Sequence, residues 1–282
     1  MRDWRASGLT GKQAALLGGW LTDPELLADL SWGVATTVLH FRSAGAHYIA
    51  KAGGSDNTHI GREITAYERY TSALADLGLA PRLVAADRDA RVLLLDYLDG
   101  DLVDGTDSAT AAEVHEQAGR LLRRLHAQEQ RVDDGYEERA TRKALADLDR
   151  PHRLTHSQAD AARAMLHAAR PRPVTSVPTH GDWQPRNWLI DASTVKAIDF
   201  GRFAFRPAHT DLCRLAAQQW RGRSDLEAAF LRGYGSDPRD PELWRIEMLR
   251  QAIGTAVWAH SAGDRAFEAQ GLRMVSDAVS GK

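Results

Sequence analysis

The first third of the chain contains short segments in which hydrophobic and polar residues alternate, as in half-buried β-strands. Residues 30–42 and 46–52 have this pattern, with S-A-G-A as the turn that joins them, and residues 91–97 form a more apolar run. Residues 59–77 have helical spacing instead, and G-L-A-P at residues 78–81 ends that helix. We therefore predict a small antiparallel sheet with one main helix in this part of the chain.

The pattern becomes helical after L-D-G-D-L at residues 98–102. The clearest case is residues 110–130, whose apolar residues recur at intervals of three and four. Further helical patterns cover residues 160–169, 211–220, 225–234 and 241–260. Together these patterns predict an α+β fold with two lobes. The N-terminal lobe, residues 1–98, is sheet-rich, and the C-terminal lobe, residues 99–282, is larger and mostly helical.

At 282 residues the chain is long enough for two such lobes. Its formal net charge of −2 gives no broad basic face for nucleic acid and no polybasic anchor for a membrane. The N-terminus lacks the apolar core of a signal peptide, and no apolar run is long enough to span a bilayer, so we expect a cytoplasmic location. Cys213 is the only cysteine, which excludes an internal disulfide. The oligomeric state stays open.

Residues 179–202 contain the most informative motif, H-G-D-x-x-x-x-N followed by D-F-G. Phosphoryl transfer needs a carboxylate that orients and deprotonates the attacking hydroxyl, and oxygen ligands for the magnesium ions that neutralise the nucleotide phosphates. Asp182 has the position of the catalytic base, and Asn187 and Asp199 have those of the metal ligands. His180 is assigned a structural role, a hydrogen bond to the backbone near Asp199.

A lysine on a strand and a carboxylate on the next helix complete such a site, because the lysine binds the α- and β-phosphates and the carboxylate holds it in place. Lys51 lies on a predicted strand, and Glu63 lies early in the helix that follows. Glu68 is the alternative partner, on a different face of the same helix. A simpler interpretation also fits, in which Lys51 is a solvated strand end and Glu63 is favoured by the helix dipole.

Two further segments are candidates for nucleotide contacts. The sequence has no G-x-G-x-x-G phosphate loop, and residues 31–37 are the candidate replacement. The groups there that could contact phosphates belong to Ser31, Gly33, Thr36 and Thr37. The stretch R-V-L-L-L-D-Y-L-D-G has the form of a nucleotide hinge, in which the backbone carbonyl of Asp96 and the amide of Leu98 would contact the adenine edge.

Together these segments resemble the aminoglycoside phosphotransferase and choline kinase family, which has the bilobal protein-kinase-like fold. The resemblance covers the strand of Lys51, the helix that follows it, G-R-L-L-R-R-L-H-A at residues 119–127, the H-G-D-W-Q-P-R-N loop and I-D-F-G-R. It implies that Asp182 is the base, that Asn187 and Asp199 bind Mg²⁺, and that Lys51 binds the phosphates of ATP, with GTP as the alternative nucleotide.

Glycine in the H-G-D motif, where protein kinases have arginine, implies by this resemblance a small-molecule hydroxyl as the acceptor. A cationic acceptor would need carboxylates in the helical lobe. One candidate cluster lies in V-D-D-G-Y-E-E: Asp133, Asp134, Glu137 and Glu138. A solvated acidic loop is an equally good interpretation of that cluster. Trp183 is a candidate apolar wall of the acceptor site, although most tryptophans belong to cores.

The leading hypothesis is an O-phosphotransferase that inactivates a cationic antibiotic and thereby confers resistance. Richness in Ala and Arg is typical of a high-GC actinobacterial source, and the acceptor would be an aminoglycoside or a basic cyclic peptide of the viomycin and capreomycin kind. The alternative is a metabolite kinase for an amino alcohol or sugar, of the choline or homoserine type. A catalytically silent, nucleotide-binding scaffold is disfavoured, because a scaffold need not keep all four of Lys51, Asp182, Asn187 and Asp199.

Overall fold

The computed structural model of the protein describes residue 4, residues 7–31 and residues 36–281. The chain divides into two compact units, each made of several stretches. The first unit consists of Met1–Gln128, His180–Ala204 and Ser224–Gly235, and the second of Glu129–Thr179, Phe205–Arg223 and Ser236–Lys282. The lobe boundary between residues 98 and 99 stays a prediction.

Ten α-helices occur in the described part of the chain. They are α1 (Gly11–Trp20), α2 (His59–Arg69), α3 (Ser72–Ala75), α4 (Ala112–His126), α5 (Tyr136–Leu148), α6 (His156–Ala168), α7 (Cys213–Ala217), α8 (Ser224–Tyr234), α9 (Pro241–Ala262) and α10 (Arg265–Ser280). None of these described helices is long and apolar enough to cross a membrane. Short 3₁₀ helices cover Asp107–Thr110, Pro185–Asn187 and Ala208–Leu212.

The strands form three sheets. They are β1 (Glu25–Asp29), β2 (Thr36–Ser43), β3 (Ala46–Gly53), β4 (Leu83–Asp87), β5 (Val92–Asp96), β6 (Asp101–Leu102), β7 (Arg131–Asp133), β8 (Val174–Thr179), β9 (Trp188–Asp191), β10 (Thr194–Ala197) and β11 (Ala204–Pro207). Their orders are β1-β2-β3-β5-β4, β10-β9-β6 and β11-β8-β7.

The five-stranded sheet of the first unit is antiparallel throughout. The S-A-G-A turn between β2 and β3 forms as predicted, with Ala44 at φ 48° and Gly45 at φ 81°, the left-handed values that a tight hairpin turn requires. The predicted strand at residues 30–42 is corrected: β2 begins at Thr36, and β1 is a separate strand that ends at Asp29.

Alternation of side chains gives this sheet two different faces. Leu39, Phe41 and Ala50 share one face and form a core with Leu17 of α1. Lys51 lies on the other face, because it is paired with Val38 across β2 and β3, and directly opposite residues point to the same side. The core therefore fixes the register that keeps Lys51 away from α1.

Helix α1 was not predicted, although its start carries a recognisable signal. Thr10 accepts a hydrogen bond from the amide of Gln13, and the side chain of Gln13 accepts one from the amide of Thr10, which is a capping box. The side-chain Nε2 of the buried Gln13 also donates to the carbonyl oxygens of Gly53 (2.9 Å) and Ala90 (2.8 Å), so it ties α1 to the sheet.

The predicted helix at residues 59–77 is two helices. The main helix, α2, ends at Arg69, and the short α3 starts at Ser72. Between them the amide of Thr71 donates to the carbonyl of Ala66, five residues back, and its hydroxyl contacts the carbonyl of Tyr67. Such side-chain competition for a helix carbonyl breaks the regular pattern.

In the second unit, α5, α6, α9 and α10 pack around one hydrophobic core. The fully buried members of this core are Ala162, Leu249, Ala252, Ile253, Val257 and Val275. The helical patterns at residues 160–169 and 241–260 correspond to α6 and α9, and the pattern at residues 211–220 is a 3₁₀ turn followed by α7. Helices α5 and α10 were not predicted.

Candidate active site

Lys51 is the centre of an ion-pair triad in the first unit, in which Glu63 is buried and Asp199 is half-exposed. Its Nζ lies 2.7 Å from Oε1 of Glu63 on α2 and 2.9 Å from Oδ1 of Asp199, which follows β10. Glu68, the alternative partner, pairs with Arg88 instead. The structure therefore brings together three residues that the sequence analysis selected from a strand, a helix and a loop.

The charges of the triad act on one another. Burial disfavours the charged form of Lys51, but the carboxylates of Asp199 and Glu63 outweigh it and raise the pKa of Lys51. The Lys51 ammonium in turn holds the pKa of Asp199 well below its usual range. Burial raises the pKa of Glu63 to about 7, against the opposing effect of the Lys51 charge. Lys51 and Asp199 thus stay ionised at neutral pH, and Glu63 titrates there.

Asp199 adopts an unusual backbone conformation, with φ at 65°. This left-handed region is rare for residues other than glycine, although Asp tolerates it better than most. The next residues hold the turn in place: Phe200 is fully buried against Tyr67 and His180, and the Gly201 carbonyl lies 2.9 Å from Nδ1 of His59. The D-F-G segment therefore holds the Asp199 carboxylate in place, and the backbone at Asp199 is strained as a result.

Gly181 and His180 shape the loop that carries Asp182. Gly181 has φ 82°, so an L side chain there would be strained. Nδ1 of His180 accepts a hydrogen bond from the Asp182 amide (3.2 Å), which leaves Nε2 to donate to the carbonyl of Ile198 (3.0 Å). His180 therefore connects the residue before Asp199 to Asp182, the type of contact that the sequence analysis assigns to it.

Both carboxylate oxygens of Asp182 are hydrogen-bonded by side chains of its own loop. Nε2 of Gln184 donates to Oδ1 (2.6 Å), and Nη2 of Arg186 donates to Oδ2. The Asp182 side chain is buried. Its orientation is therefore set by neighbours two and four residues ahead, which the sequence analysis did not select.

The two predicted metal ligands lie at one end of the β9–β10 hairpin. The side-chain amide of Asn187 donates to the Asp182 carbonyl (2.7 Å), and the backbone carbonyl of Asn187 accepts from the amide of Ile198 (3.0 Å). Asp199 is the next residue along the chain. The amide oxygen of Asn187 and the carboxylate of Asp199 are hard oxygen donors, and this donor set fits Mg²⁺, which completes its shell with water and phosphate oxygens.

Among the described residues, no group of three or more His, Cys, Asp or Glu side chains has the geometry of a metal site. A transition-metal site of that kind would need several such ligands. A magnesium site of one amide and one carboxylate does not, so the donor set above stays the candidate.

The residues proposed to contact phosphates have different surroundings in the structure. Gly33 lies outside the described residues. Ser31 accepts a hydrogen bond from the amide of Val38 (2.9 Å), and Thr36 accepts one from the side chain of Asn57 (2.9 Å). Thr37 is corrected: it is paired with Ala52 and lies on the α1 face, because side chains alternate along β2, whereas Thr36 shares the face of Lys51.

Asn57 is a residue that the sequence analysis overlooked. Its Oδ1 accepts the amides of His59 (2.8 Å) and Ile60 (3.0 Å) at the start of α2, while its Nδ2 donates to Thr36. It thereby fixes the helix of Glu63 to the sheet. The available signal was its rarity, since the chain contains only two asparagines and the other is Asn187.

The hinge segment begins at the end of β5. The amide of Asp96 donates to the carbonyl of Arg82 (3.1 Å), and the amide of Tyr97 donates to the carbonyl of His47 (3.0 Å). Neither bond uses the carbonyl of Asp96 or the amide of Leu98, the two groups predicted to contact adenine. The Asp96 side chain accepts the Arg82 amide, and burial raises the pKa of this carboxyl.

Comparison of the sequence with protein-family models matches residues 29–245 to the phosphotransferase enzyme family. The chain belongs to this family. The predicted class, a small-molecule kinase, is thereby confirmed. Comparison with curated proteins gives no significant match.

Solved structures of similar proteins share the fold of this phosphotransferase. Choline kinase LicA from Streptococcus pneumoniae has 17% identity and a TM-score of 0.67, and the match covers 96% of this chain and 97% of that one. A thermostable mutant of aminoglycoside phosphotransferase APH(4)-Ia, in a ternary complex with ADP and hygromycin B, has 14% identity, a TM-score of 0.69 and coverage of 96% and 98%. Macrolide 2'-phosphotransferase MphH from Brachybacterium faecium has 16% identity, a TM-score of 0.57 and coverage of 94% and 95%. Identities this low show the fold alone, and the predicted α+β, protein-kinase-like fold is confirmed.

Trp183 of the phosphotransferase does not form an exposed wall. Its side chain is fully buried and packs between His180 (ring centroids 5.2 Å apart) and Trp188 (5.7 Å). A side chain enclosed in this way belongs to the core, which corrects its assignment to the acceptor site.

The acidic cluster is not one loop, because it spans the end of β7, a turn and the first turn of α5. Glu137 is buried and its Oε2 pairs with Arg250 at 2.8 Å, so we remove it from the acceptor set. Asp133 pairs with Arg139 (2.6 Å), whose hydrogen bond lowers the pKa of Asp133. Asp134 and Glu138 are exposed, and Glu138 lies 3.5 Å from Arg142. These three carboxylates of the second unit keep the acceptor assignment as a hypothesis.

Proposed function

We propose that this phosphotransferase moves the γ-phosphate of ATP, or of GTP, to a hydroxyl group of a small cationic molecule, and that this molecule is an antibiotic such as an aminoglycoside or a basic cyclic peptide. The observation that carries the proposal is the triad of Lys51, Glu63 and Asp199, held next to the loop of Asp182 and Asn187 by the β9–β10 hairpin. A cytoplasmic location, where both nucleotides are supplied, is part of the proposal.

Asp182 is the proposed base. The acceptor hydroxyl oxygen forms a bond to the γ-phosphorus as the bond to the leaving β-phosphate oxygen breaks, and the hydroxyl proton passes to the Asp182 carboxylate. Gln184 and Arg186 orient that carboxylate. The acceptor hydroxyl must therefore bind the Asp182 carboxylate while Arg186 also binds it.

Lys51 is the proposed phosphate ligand, held by Glu63, and its raised pKa keeps it charged. Asn187 and Asp199 would hold Mg²⁺, which supplies positive charge to the nucleotide phosphates. Thr36, the first residue of β2, and Ser31, whose hydroxyl accepts the Val38 amide, would supply hydroxyl groups for the phosphates, and the backbone of Asp96 and Leu98 would contact the nucleobase. The two ring nitrogens of His180 bond the backbone of Asp182 and of Ile198, the residue before Asp199, so His180 would hold the two carboxylates in a fixed relative position.

The cationic acceptor rests on the exposed carboxylates Asp134 and Glu138, together with Asp133, in the second unit. A second candidate, a metabolite kinase for an amino alcohol or sugar, is favoured by the match to choline kinase LicA, which covers as much of this chain as the antibiotic phosphotransferase does. Both candidates use the same chemistry at Asp182 and differ in the acceptor.

Transfer of label from γ-³²P-ATP and γ-³²P-GTP with Mg²⁺ to a panel of acceptors tests the proposal. Labelled aminoglycoside or viomycin-type peptide is the expected product, and Asp182→Asn should lower turnover about 10²- to 10⁴-fold because the base is lost. Asp191→Asn, at the end of β9 and paired with Lys196, is the matched control and should stay active. Turnover of choline or homoserine alone supports the second candidate, and equal turnover by wild type and Asp182→Asn contradicts both.

A further inference from the structure

The second unit contains an open pocket of about 770 Å³, formed by α7, α9, α10 and the chain segments that follow α7 and precede α9. This volume lies within the range of roughly 300–1,000 Å³ that small-molecule sites occupy. The pocket does not include any residue assigned above to nucleotide, metal or acceptor. It therefore calls for a separate explanation.

The walls of this pocket are apolar. Trp244 and Met248 of α9 and Met274 of α10 line it together with alanines of α7 and α10. Methionine adapts its shape to irregular ligands, and tryptophan offers a large flat surface for a ring or chain. The body of a fitting ligand is accordingly apolar.

Three arginines, Arg221, Arg239 and Arg245, stand around the apolar walls. Arg221 pairs with Asp277 at 3.0 Å, and Arg239 pairs with Asp237 at 2.7 Å while its guanidinium lies 5.3 Å from the Trp244 ring centroid. The side chain of Arg239 is only 18% exposed, so it is mostly enclosed by its neighbours.

Arg245 differs from the other two. It is exposed, and within the described ranges 7–31 and 36–281 no carboxylate pairs with it. Arg221 and Arg239 already pair with Asp277 and Asp237, so among the described lining residues Arg245 is the arginine whose guanidinium can meet an anionic ligand. A single anionic group on the ligand would pair with Arg245, and a guanidinium recognises a planar carboxylate well.

We propose that this pocket binds a small molecule with an apolar body and one anionic group, whose anion pairs with Arg245. This ligand has the opposite charge to the proposed acceptor, and the inference does not rest on the proposed function. Arg239, whose guanidinium lies 5.3 Å from the Trp244 ring centroid, lines the pocket beside that ring.

Isothermal titration with 2-naphthylacetate tests the pocket, with 2-(2-naphthyl)ethanol and 2-(2-naphthyl)ethylammonium as neutral and cationic counterparts of the same shape. We expect the anion to bind most tightly and the cation most weakly. Arg245→Gln should weaken binding of the anion about tenfold or more, as loss of a hydrogen bond between charged groups does, and should leave the alcohol unaffected. No nucleotide is added, so the outcome is independent of phosphate transfer.

Arg265→Gln is the matched control, because Arg265 is an exposed arginine at the start of α10 that does not line the pocket. It should bind 2-naphthylacetate like wild type. Ala216→Phe, which fills the pocket from α7, should abolish binding of all three probes while thermal unfolding shows an intact fold. Equal affinity for the three probes, no binding, or an equal loss in Arg245→Gln and Arg265→Gln would overturn the proposal.

Discussion

Glu63 is the residue of the triad whose charge changes near neutral pH. With its pKa raised to about 7 by burial, Glu63 is mostly neutral at pH 6 and mostly ionised at pH 8. Only the ionised form makes a full ion pair with Lys51. Positioning of the lysine for the nucleotide phosphates should therefore improve as pH rises.

For wild type we expect kcat/KM for the nucleotide to rise with a midpoint near pH 7, because this ratio follows ionisations of the free protein. Glu63→Gln cannot titrate, so its kcat/KM should be lower at pH 8 and lack this rise. Glu68→Gln is the control, since Glu68 pairs with Arg88 and should leave the profile as in wild type. A rise near pH 7 that persists in Glu63→Gln assigns the titration to another group.

The residues of the site differ in how visible they are in the sequence. Asp182, Asn187 and Asp199 occur at fixed spacings in one motif. Phosphoryl transfer requires a carboxylate base and oxygen ligands for Mg²⁺, so the residue types at these positions are recognisable in the sequence. Gln184 and Arg186 lie in the same motif, but their contacts depend on how the 3₁₀ turn at Pro185–Asn187 directs side chains, which spacing does not reveal. Thr37 was misassigned because the sequence pattern does not fix the residue at which the strand begins, and an error of one residue exchanges the faces of a strand.

At the scale of elements, α4 and α8 approach one another through glycines. A Cβ added at Gly233 of α8 would lie 1.8 Å from the carbonyl oxygen of Glu116, and one added at Gly119 of α4 would lie 2.2 Å from that of Phe230. Both obstacles are backbone atoms, which cannot move aside as a side chain can. The two helices can therefore approach this closely only because Gly119 and Gly233 have no side chain.

Gly233→Ala should destabilise the protein by about 1–3 kcal/mol, because overpacking forces the helices apart. Gly254→Ala, in the interior of α9 with open space around its position, should instead change stability by less than about 1 kcal/mol, in the stabilising direction expected for alanine in a helix. Urea unfolding followed by circular dichroism measures both. Equal effects of the two substitutions would contradict the close approach.

Strands and helices with a strong pattern were predicted, and those with a weak one were not. The alternation along β2 and β3 and the apolar stripe of α4 follow from burial on one side. Helix α5 has Glu137 and Glu138 in its first turn, shortly after D-D-G, so this segment resembles an acidic loop in sequence, although acids are favoured at helix starts. Helix α10 contains Ala, Gly and Ser at many positions, and its core contacts are made by few large side chains.

The stability of the whole molecule should depend on pH through His209. Burial lowers the pKa of His209 to about 4, although Glu137 and Asp240 act in the opposite direction. In the unfolded chain the pKa of a histidine is near 6.5. Between these values the unfolded state binds more protons than the folded state, so the free energy of unfolding falls as pH falls.

Wild type should lose about 3 kcal/mol of stability through this group between pH 7 and pH 4. His209→Gln should be less stable at pH 7 but should lose correspondingly less on acidification. His156→Gln, at an exposed position on α6, serves as the control and should follow the wild-type slope. Guanidinium unfolding at several pH values measures the difference, and parallel slopes for wild type and His209→Gln would contradict the assignment.

The first unit is assembled from three separate stretches of chain, the last of which ends at Gly235. A ribosome makes Lys51 148 residues before its partner Asp199, and the whole first stretch of the second unit is synthesised in between. The sheet and α2 can form early, but the loop that completes the site arrives late, and contacts so distant along the chain slow folding. A nascent chain therefore acquires its catalytic groups only when most of the protein has been synthesised.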